Sequence, residues 1–190
     1  MNLKHSQQNL AYARQLFKQK SYPEALQLCN TLLSRNDQQA DVLTLKALIH
    51  KQLGDFEEAG KSMDLALSLN PDHAVMLFTG ALINLNLSNF DQAKKQAMKA
   101  AREAPDNPQI VCQCAMILGR AGELQNALQV LEKYTQKHHG PAEAWYLIGK
   151  FQADLNHEEA AEYALRKCIA LKPDHANAIK RLEQVTGPDS

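Results

Sequence analysis

The chain has 190 residues, 45% hydrophobic and 22% charged, with 21 Lys+Arg against 21 Asp+Glu, the balance of a folded globular chain rather than a disordered one. Zero net charge argues against whole-molecule attraction to nucleic acid or an anionic membrane surface. No run reaches the roughly 18 apolar residues of a membrane helix, and Met1 to Gln8 lack the basic-then-apolar order of a secretory signal, so a cytoplasmic chain is expected. Ala is abundant while Gly (8) and Pro (7) are sparse, which favours helix over sheet.

Three prolines sit in like contexts: Leu69-Asn70-Pro71-Asp72-His73, Glu103-Ala104-Pro105-Asp106-Asn107 and Leu171-Lys172-Pro173-Asp174-His175. Their spacings, 34 and then 68 residues, set a period of 34 and five units without insertion: 6–39, 40–73, 74–107, 108–141 and 142–175. In the first unit Ser21-x-x-Glu24 has capping-box spacing, with Pro23 just inside a helix start. The next two repeat that point as Asp55-x-x-Glu58 and Asn89-x-x-Gln92. Gly54 and Gly122 precede caps, where a chain leaving one helix needs unusual backbone angles. Within the third unit Leu77, Ala81, Leu85 and then Ala93, Ala97, Ala100 follow steps of three and four, the helical period. Each unit therefore predicts two helices that bury their apolar faces only by stacking on neighbours. The tail 176–186 predicts one more amphipathic helix, with Ile179, Leu182 and Val185 covering the fifth unit and Lys180, Arg181, Glu183 and Gln184 in water. Gly187 and Pro188 end it.

Position 20 of the units is Ala25, Ala59, Ala93, Ala127 and Ala161, and position 8 is Ala13, Ala47, Ala81, Ala115 and Gly149. Position 4 is Asn9, Leu43, Leu77, Val111 and Trp145, and position 24 is Cys29, Met63, Ala97, Leu131 and Leu165. With these residues at this period, about 170 of the 190 residues resemble the tetratricopeptide repeat (TPR) family. The resemblance implies an all-α fold: an α-solenoid, a right-handed superhelix of antiparallel helix pairs with about 11 helices and no β-sheet, forming a single array over 1–190. It implies that small residues at positions 8 and 20 let paired helices approach closely. Departures are Asp37 and His139 where proline recurs, Lys46 and Gly80 at the usually large position 7, and Glu158 for the aromatic at position 17.

Catalytic patterns are missing. The glycines are scattered, no phosphate-binding loop or G-x-S-x-G occurs, and His157-Glu158-Glu159 has no second His at zinc-helix spacing. Cys112-x-Cys114 on a helix points to opposite sides and can share neither a metal nor a disulfide. By repeat position Cys29, Cys114 and Cys168 belong to the core and Cys112 to the groove side. All four read as reduced thiols, Cys112 without an activating cation nearby in sequence. His73, His138, His139 and His175 read as solvated turn residues. Neither an enzyme nor a cofactor or metal is expected.

In the family, positions 2, 5, 9 and 12 of each first helix face a concave surface. Unit by unit these are Gln7, Leu10, Arg14, Phe17; Asp41, Thr44, Leu48, Lys51; Val75, Phe78, Leu82, Leu85; Gln109, Cys112, Met116, Gly119; and Glu143, Tyr146, Lys150, Ala153. The middle is apolar, and the expected partner-binding groove is Leu48, Lys51, Val75, Phe78, Leu82, Leu85, Cys112, Met116, Tyr146 and Lys150. It suits a protein partner's amphipathic helix or an extended segment with bulky anchors. The packing alternative is that Phe78 or Leu82 lies against a neighbouring unit. The chaperone-carboxylate clamp of some TPR domains needs converging cations and Asn, where the first register here offers Leu10, Arg14, Leu45, Val75 and Thr79; later registers serve no better, so that role is not expected. The leading function is a protein-interaction adaptor. A second reading is the N-terminal recognition or dimerisation domain of a larger sulfotransferase- or glycosyltransferase-type enzyme, and a third is a homodimer.

Overall fold

The computed structural model describes residues 3–35 and 39–187, so Asp37 and Pro188 lie outside the described residues. Among the described residues there are eleven helices and no strand: α1 (Leu3–Lys18), α2 (Tyr22–Ser34), α3 (Gln39–Leu53), α4 (Phe56–Leu69), α5 (Ala74–Asn86), α6 (Phe90–Glu103), α7 (Pro108–Arg120), α8 (Leu124–His138), α9 (Ala142–Asp154), α10 (Glu158–Leu171) and α11 (Ala176–Thr186). Close approaches divide the chain into two compact units, Met1–Asn89 and Phe90–Ser190. In the first, α1 pairs with α2 and α3 with α4, while α2 packs on α3 and α4 on α5. In the second, each helix from α6 to α11 packs on the next, and α9 also meets α7 and α11.

Small residues explain how the hairpins close. Ala13, Ala25, Ala47 and Ala59 in the first unit and Ala115, Ala127 and Ala161 in the second are each 0% exposed, so at these points only a methyl group separates one helix from its neighbour. Large side chains fill the space beside them, with Leu32, Met63, Ile83, Leu118, Leu131 and Leu165 fully buried. The fifth repeat goes further. A Cβ at Gly149 would lie 2.6 Å from Leu165 Cγ and 3.1 Å from the Ala161 carbonyl oxygen, so α9 and α10 approach too closely even for Ala. Gly119 serves α9 in the same way, since a Cβ there would sit 2.6 Å from the Phe151 ring.

The turn leaving each first helix is the same in all five repeats. Position 15 lies in the left-handed region whether it is Gly54 (φ 85°) and Gly122 (81°) or Lys20 (62°), Ser88 (60°) and Asn156 (60°). The next backbone N–H reaches back to a carbonyl five residues earlier: Ser21 to Leu16, Asp55 to His50, Asn89 to Asn84, Glu123 to Leu118 and His157 to Gln152, all at 2.8–3.0 Å. This is the Schellman closure, and non-glycine residues adopt it at a steric cost.

Capping corrects the sequence expectation. Ser21 and Asp55 form no side-chain cap bond; their ψ angles of 65° and 64° fall short of the extended conformation a capping side chain needs, because their N–H groups already close the preceding helix. Three side-chain caps do form at position 34. Asn107 Oδ1 accepts from the N–H groups of Gln109 and Ile110 at 3.0 and 3.1 Å. His73 Nδ1 accepts from Met76 N–H at 3.4 Å and His175 Nδ1 from Ala178 N–H at 3.2 Å.

The tail helix docks through Leu182 and Val185 as expected, with Ala178 rather than Ile179 as the third residue. Ala178 is buried against Leu165 and Cys168, with Leu182 and Val185 packed beside it, whereas Ile179 stays exposed. Arg181 is not solvated either: its guanidinium pairs with Asp154 and donates to Gln184 Oε1 at 3.2 Å. Ala178, Leu182 and Val185 are spaced four and three apart on one helical face, and Ile179 lies at its edge. The departure at Lys46 is accommodated by a bond from its Nζ to Asn30 Oδ1 at 3.1 Å.

Two substitutions test this packing by chemical denaturation. Gly149→Ala is expected to lose about 1–3 kcal/mol through overpacking against Leu165. Ser88→Gly is expected to gain about 0.5–1 kcal/mol by relieving the left-handed strain. An unchanged midpoint in either variant would contradict the corresponding contact.

Candidate functional site

The inner positions of the first unit lie on α1, α3 and α5. Arg14 at position 9 of α1 bonds Asp41 at position 2 of α3 (Nη2 to Oδ1, 3.2 Å), which puts these two inner faces on one surface. Both side chains are more than half exposed, so the pair aligns the surface and adds little stability. From α3, Leu48 and Lys51 are half-buried. From α5, Val75 is 49% exposed while Phe78 and Leu82 are half-buried, all on one side of the helix. Leu85 continues their spacing, but it is buried with 6% exposure, so it floors this face rather than presenting itself. The opposite side of α5 buries Met76, Leu77, Ala81 and Ile83. The helix is therefore apolar on both sides, which core packing alone does not require.

The second unit's inner positions lie on α7 and α9. Met116 is 37% exposed. Cys112 is buried and offers little surface to a partner. Tyr146 is occupied by the fold, its ring stacking on His175 at a centroid distance of 4.8 Å. Lys150 lies 5.6 Å above the centre of the Phe151 ring, a cation–π contact. The apolar inner surface is thus richer in the first unit, where the side chains of α5 are not consumed by neighbouring rings.

All four cysteines are free and buried. Burial pushes the thiols of Cys29, Cys112 and Cys168 up to about 11 and that of Cys114 to about 12; at Cys112 the carboxylate of Glu143 adds to the rise. This is the opposite of the lowered thiol a nucleophile needs. Among the described residues no three His, Cys, Asp or Glu side chains gather as a metal site, and no helix is long and apolar enough to cross a membrane.

The histidines depart from the sequence reading. His138 Nε2 stands 2.7 Å from Asp106 Oδ1, and its ring packs on Tyr134 at 4.9 Å. His175 holds Glu143 Oε2 at 3.4 Å through Nε2 while Nδ1 caps α11. His175 is thus engaged by α9 rather than solvated, while His138, the last residue of α8, stays exposed with Asp106 as its partner. The signal available in sequence was their place: His73 and His175 occupy the repeat position where Asn107 stands. Hydrogen bonds from Lys137 (2.5 Å) and then His138 hold the Asp106 carboxyl below its ordinary range.

A profile of the tetratricopeptide repeat matches residues 40–73 and 142–175, coinciding with two of the 34-residue units. These two units are tetratricopeptide repeats. The PEX5-related proteins of Mus musculus and Homo sapiens are each 33% identical over 63 residues, a third of this TPR chain. The matching stretch spans only 11% and 10% of those relatives' own lengths. Among solved structures, YrrB, a TPR protein with an unusual peptide-binding site, superposes with a TM-score of 0.73 at 21% identity, covering 90% of this chain and 89% of YrrB. A thermophilic TPR protein of Thermus thermophilus gives 0.63 at 17% identity, covering 95% of this chain and 98% of its own. The C-terminal part of a TPR protein from Cytophaga hutchinsonii gives 0.76 at 18% identity, covering 93% and 69%. These likenesses concern the TPR fold.

Two measurements check the site's electrostatics. A thiol reagent at mildly alkaline pH is expected to find no fast-reacting cysteine in the folded TPR chain and all four after denaturation; rapid labelling of Cys112 would contradict its burial. Because the folded Asp106 carboxyl is lowered, its contribution is present above the ordinary carboxylate pKa of about 3.9 and is lost as pH falls through the folded value. Asp106→Asn is therefore expected to flatten the acid limb of the stability profile, and an identical acid limb would contradict the pairing.

Proposed function

We propose that this chain is a protein-interaction scaffold that holds a segment of a partner protein against the inner face of its first unit. The observation that carries the reading is the outward row Val75, Phe78 and Leu82 on α5, flanked by Leu48 and Lys51 of α3. An exposed apolar row with a polar edge has the composition of an interface centre. Fully burying an exposed side chain of this kind contributes roughly 1.5–3 kcal/mol, of which half-buried Phe78 and Leu82 have only part left to gain, so the row anchors a partner and the polar edge adds the rest of the contact. The fold shared with YrrB, itself described by a peptide-binding site, supports the same kind of use here. An amphipathic helix with apolar residues three and four apart, or an extended segment with bulky alternate side chains, fits such a row. Met116, Tyr146 and Lys150 of the second unit are secondary candidates for contact, and Leu85 and Cys112 serve as buried support.

Immobilised wild-type chain and its variants, incubated with lysate of the source organism, provide the test. Phe78→Glu and Leu82→Glu are expected to lose at least about tenfold in captured partner, the equivalent of about 1.4 kcal/mol, while helical circular dichroism is unchanged. Leu65→Glu, at a 57% exposed apolar residue on α4, is expected to capture normally. Normal capture by both inner-face variants would overturn the assignment.

A further inference from the structure

In the second unit α8 packs on α7 and α9 but makes no close approach to α10. The gap is an open cleft of about 640 Å³ between α8 and the turn joining α9 to α10. Its lining is dominated by side-chain amides. Gln125, Gln129 and Gln136 stand on one exposed face of α8, and Gln152 faces them from the end of α9. Leu128 forms the floor, and the charges are one carboxylate, Glu132, against one ammonium, Lys133.

A hydrogen-bonded chain fixes one wall. His157 and Gln152 meet through Nδ1 and Oε1 at 2.8 Å, and Gln152 Nε2 donates to Glu132 Oε1 at 3.4 Å. Since an amide oxygen only accepts, His157 Nδ1 carries a proton and donates it to Gln152. Both the amide of Gln152 and the ring of His157 are thus oriented before any ligand arrives, which lowers the ordering cost of binding.

We propose that this cleft is a second binding site, for an extended and uncharged stretch of polypeptide recognised through its backbone amides. Side-chain amides donate and accept together, which complements a backbone that does the same. Residues four apart on α8 advance about 6 Å, close to the roughly 6.6–6.8 Å of every second residue in an extended chain. The span from Gln125 to Gln136, about 16 Å, accommodates about five extended residues. A ligand of strong charge finds no net opposite charge in the lining. A sugar would ordinarily be held against an aromatic face, and none but the His157 imidazole is present there. The site lies on second helices and their turns, apart from the inner positions considered above, so it stands or falls independently of them.

Nuclear magnetic resonance of the full ¹⁵N-labelled chain tests it. The probe is an end-blocked peptide of roughly ten residues built from Ser, Asn, Thr and Gly, compared with acidic and basic peptides of equal length and with a linear oligosaccharide. The uncharged peptide is expected to shift the side-chain NH₂ signals of Gln125, Gln129, Gln136 and Gln152, with little change as salt is raised. The double variant Gln129→Ala/Gln136→Ala, altered only at exposed residues of α8, is expected to weaken that peptide about tenfold, as loss of two ordinary hydrogen bonds implies. The proposal is overturned if those signals do not move, or if the double variant binds equally well. A charged peptide binding more tightly with steep salt dependence, or the oligosaccharide alone producing the shifts, overturns it as well.

Discussion

Everything in this molecule depends on how closely two helices can approach. Where a repeat brings its first helix against its second, a larger side chain would separate the backbones and undo the contacts around it. Within the two units seven alanines and Gly149 occupy these points, all shielded from water. The constraint is strictest in the fifth repeat, where Leu165 and the Ala161 carbonyl occupy the space an alanine methyl would need. Such contacts are short-range and steric, so they act over one helical turn and recur only because the chain recurs. That is how a period of 34 residues becomes an architecture.

Once the hairpins are closed, the remaining surface is decided by what the core leaves over. Most helices have one apolar side, and the hairpin consumes it. α5 has two. Its buried side carries Met76, Leu77 and Ile83, and its outer side carries Val75, Phe78 and Leu82. Folding accounts for the first set only, and the second is what we propose a partner covers. The second unit shows the contrast, since there Tyr146 is drawn onto His175 and thereby helps hold the last helix in place. The same ring that could receive a partner in one repeat becomes structural in another.

The fold was legible in sequence because steric periodicity is written in residue size, and size is visible without coordinates. Ala25 to Ala161 at one position and Ala13 to Gly149 at another suffice to set the helices and their boundaries. What sequence did not disclose depends on angles of a few tens of degrees. Ser21 has a capping residue's chemistry but not its ψ, while His175 has a less familiar capping chemistry in the right place. Leu85 and Cys112 share the inner spacing of their helices, yet both are buried, which spacing alone does not disclose. Ala178 in place of Ile179 completes the docking face that Leu182 and Val185 already marked. The amide-lined cleft beside α8 arises from a separation between helices that no residue type announces.

Hydrogen–deuterium exchange of the chain, free and saturated with a partner it captures, bears most directly on the claim that the first unit's inner face receives that partner. The account predicts slowed exchange along α3 and α5, centred on residues 44–51 and 75–85, with α2 and α4 unchanged. Protection confined to α2 and α4, with α3 and α5 exchanging as in the free chain, would contradict it.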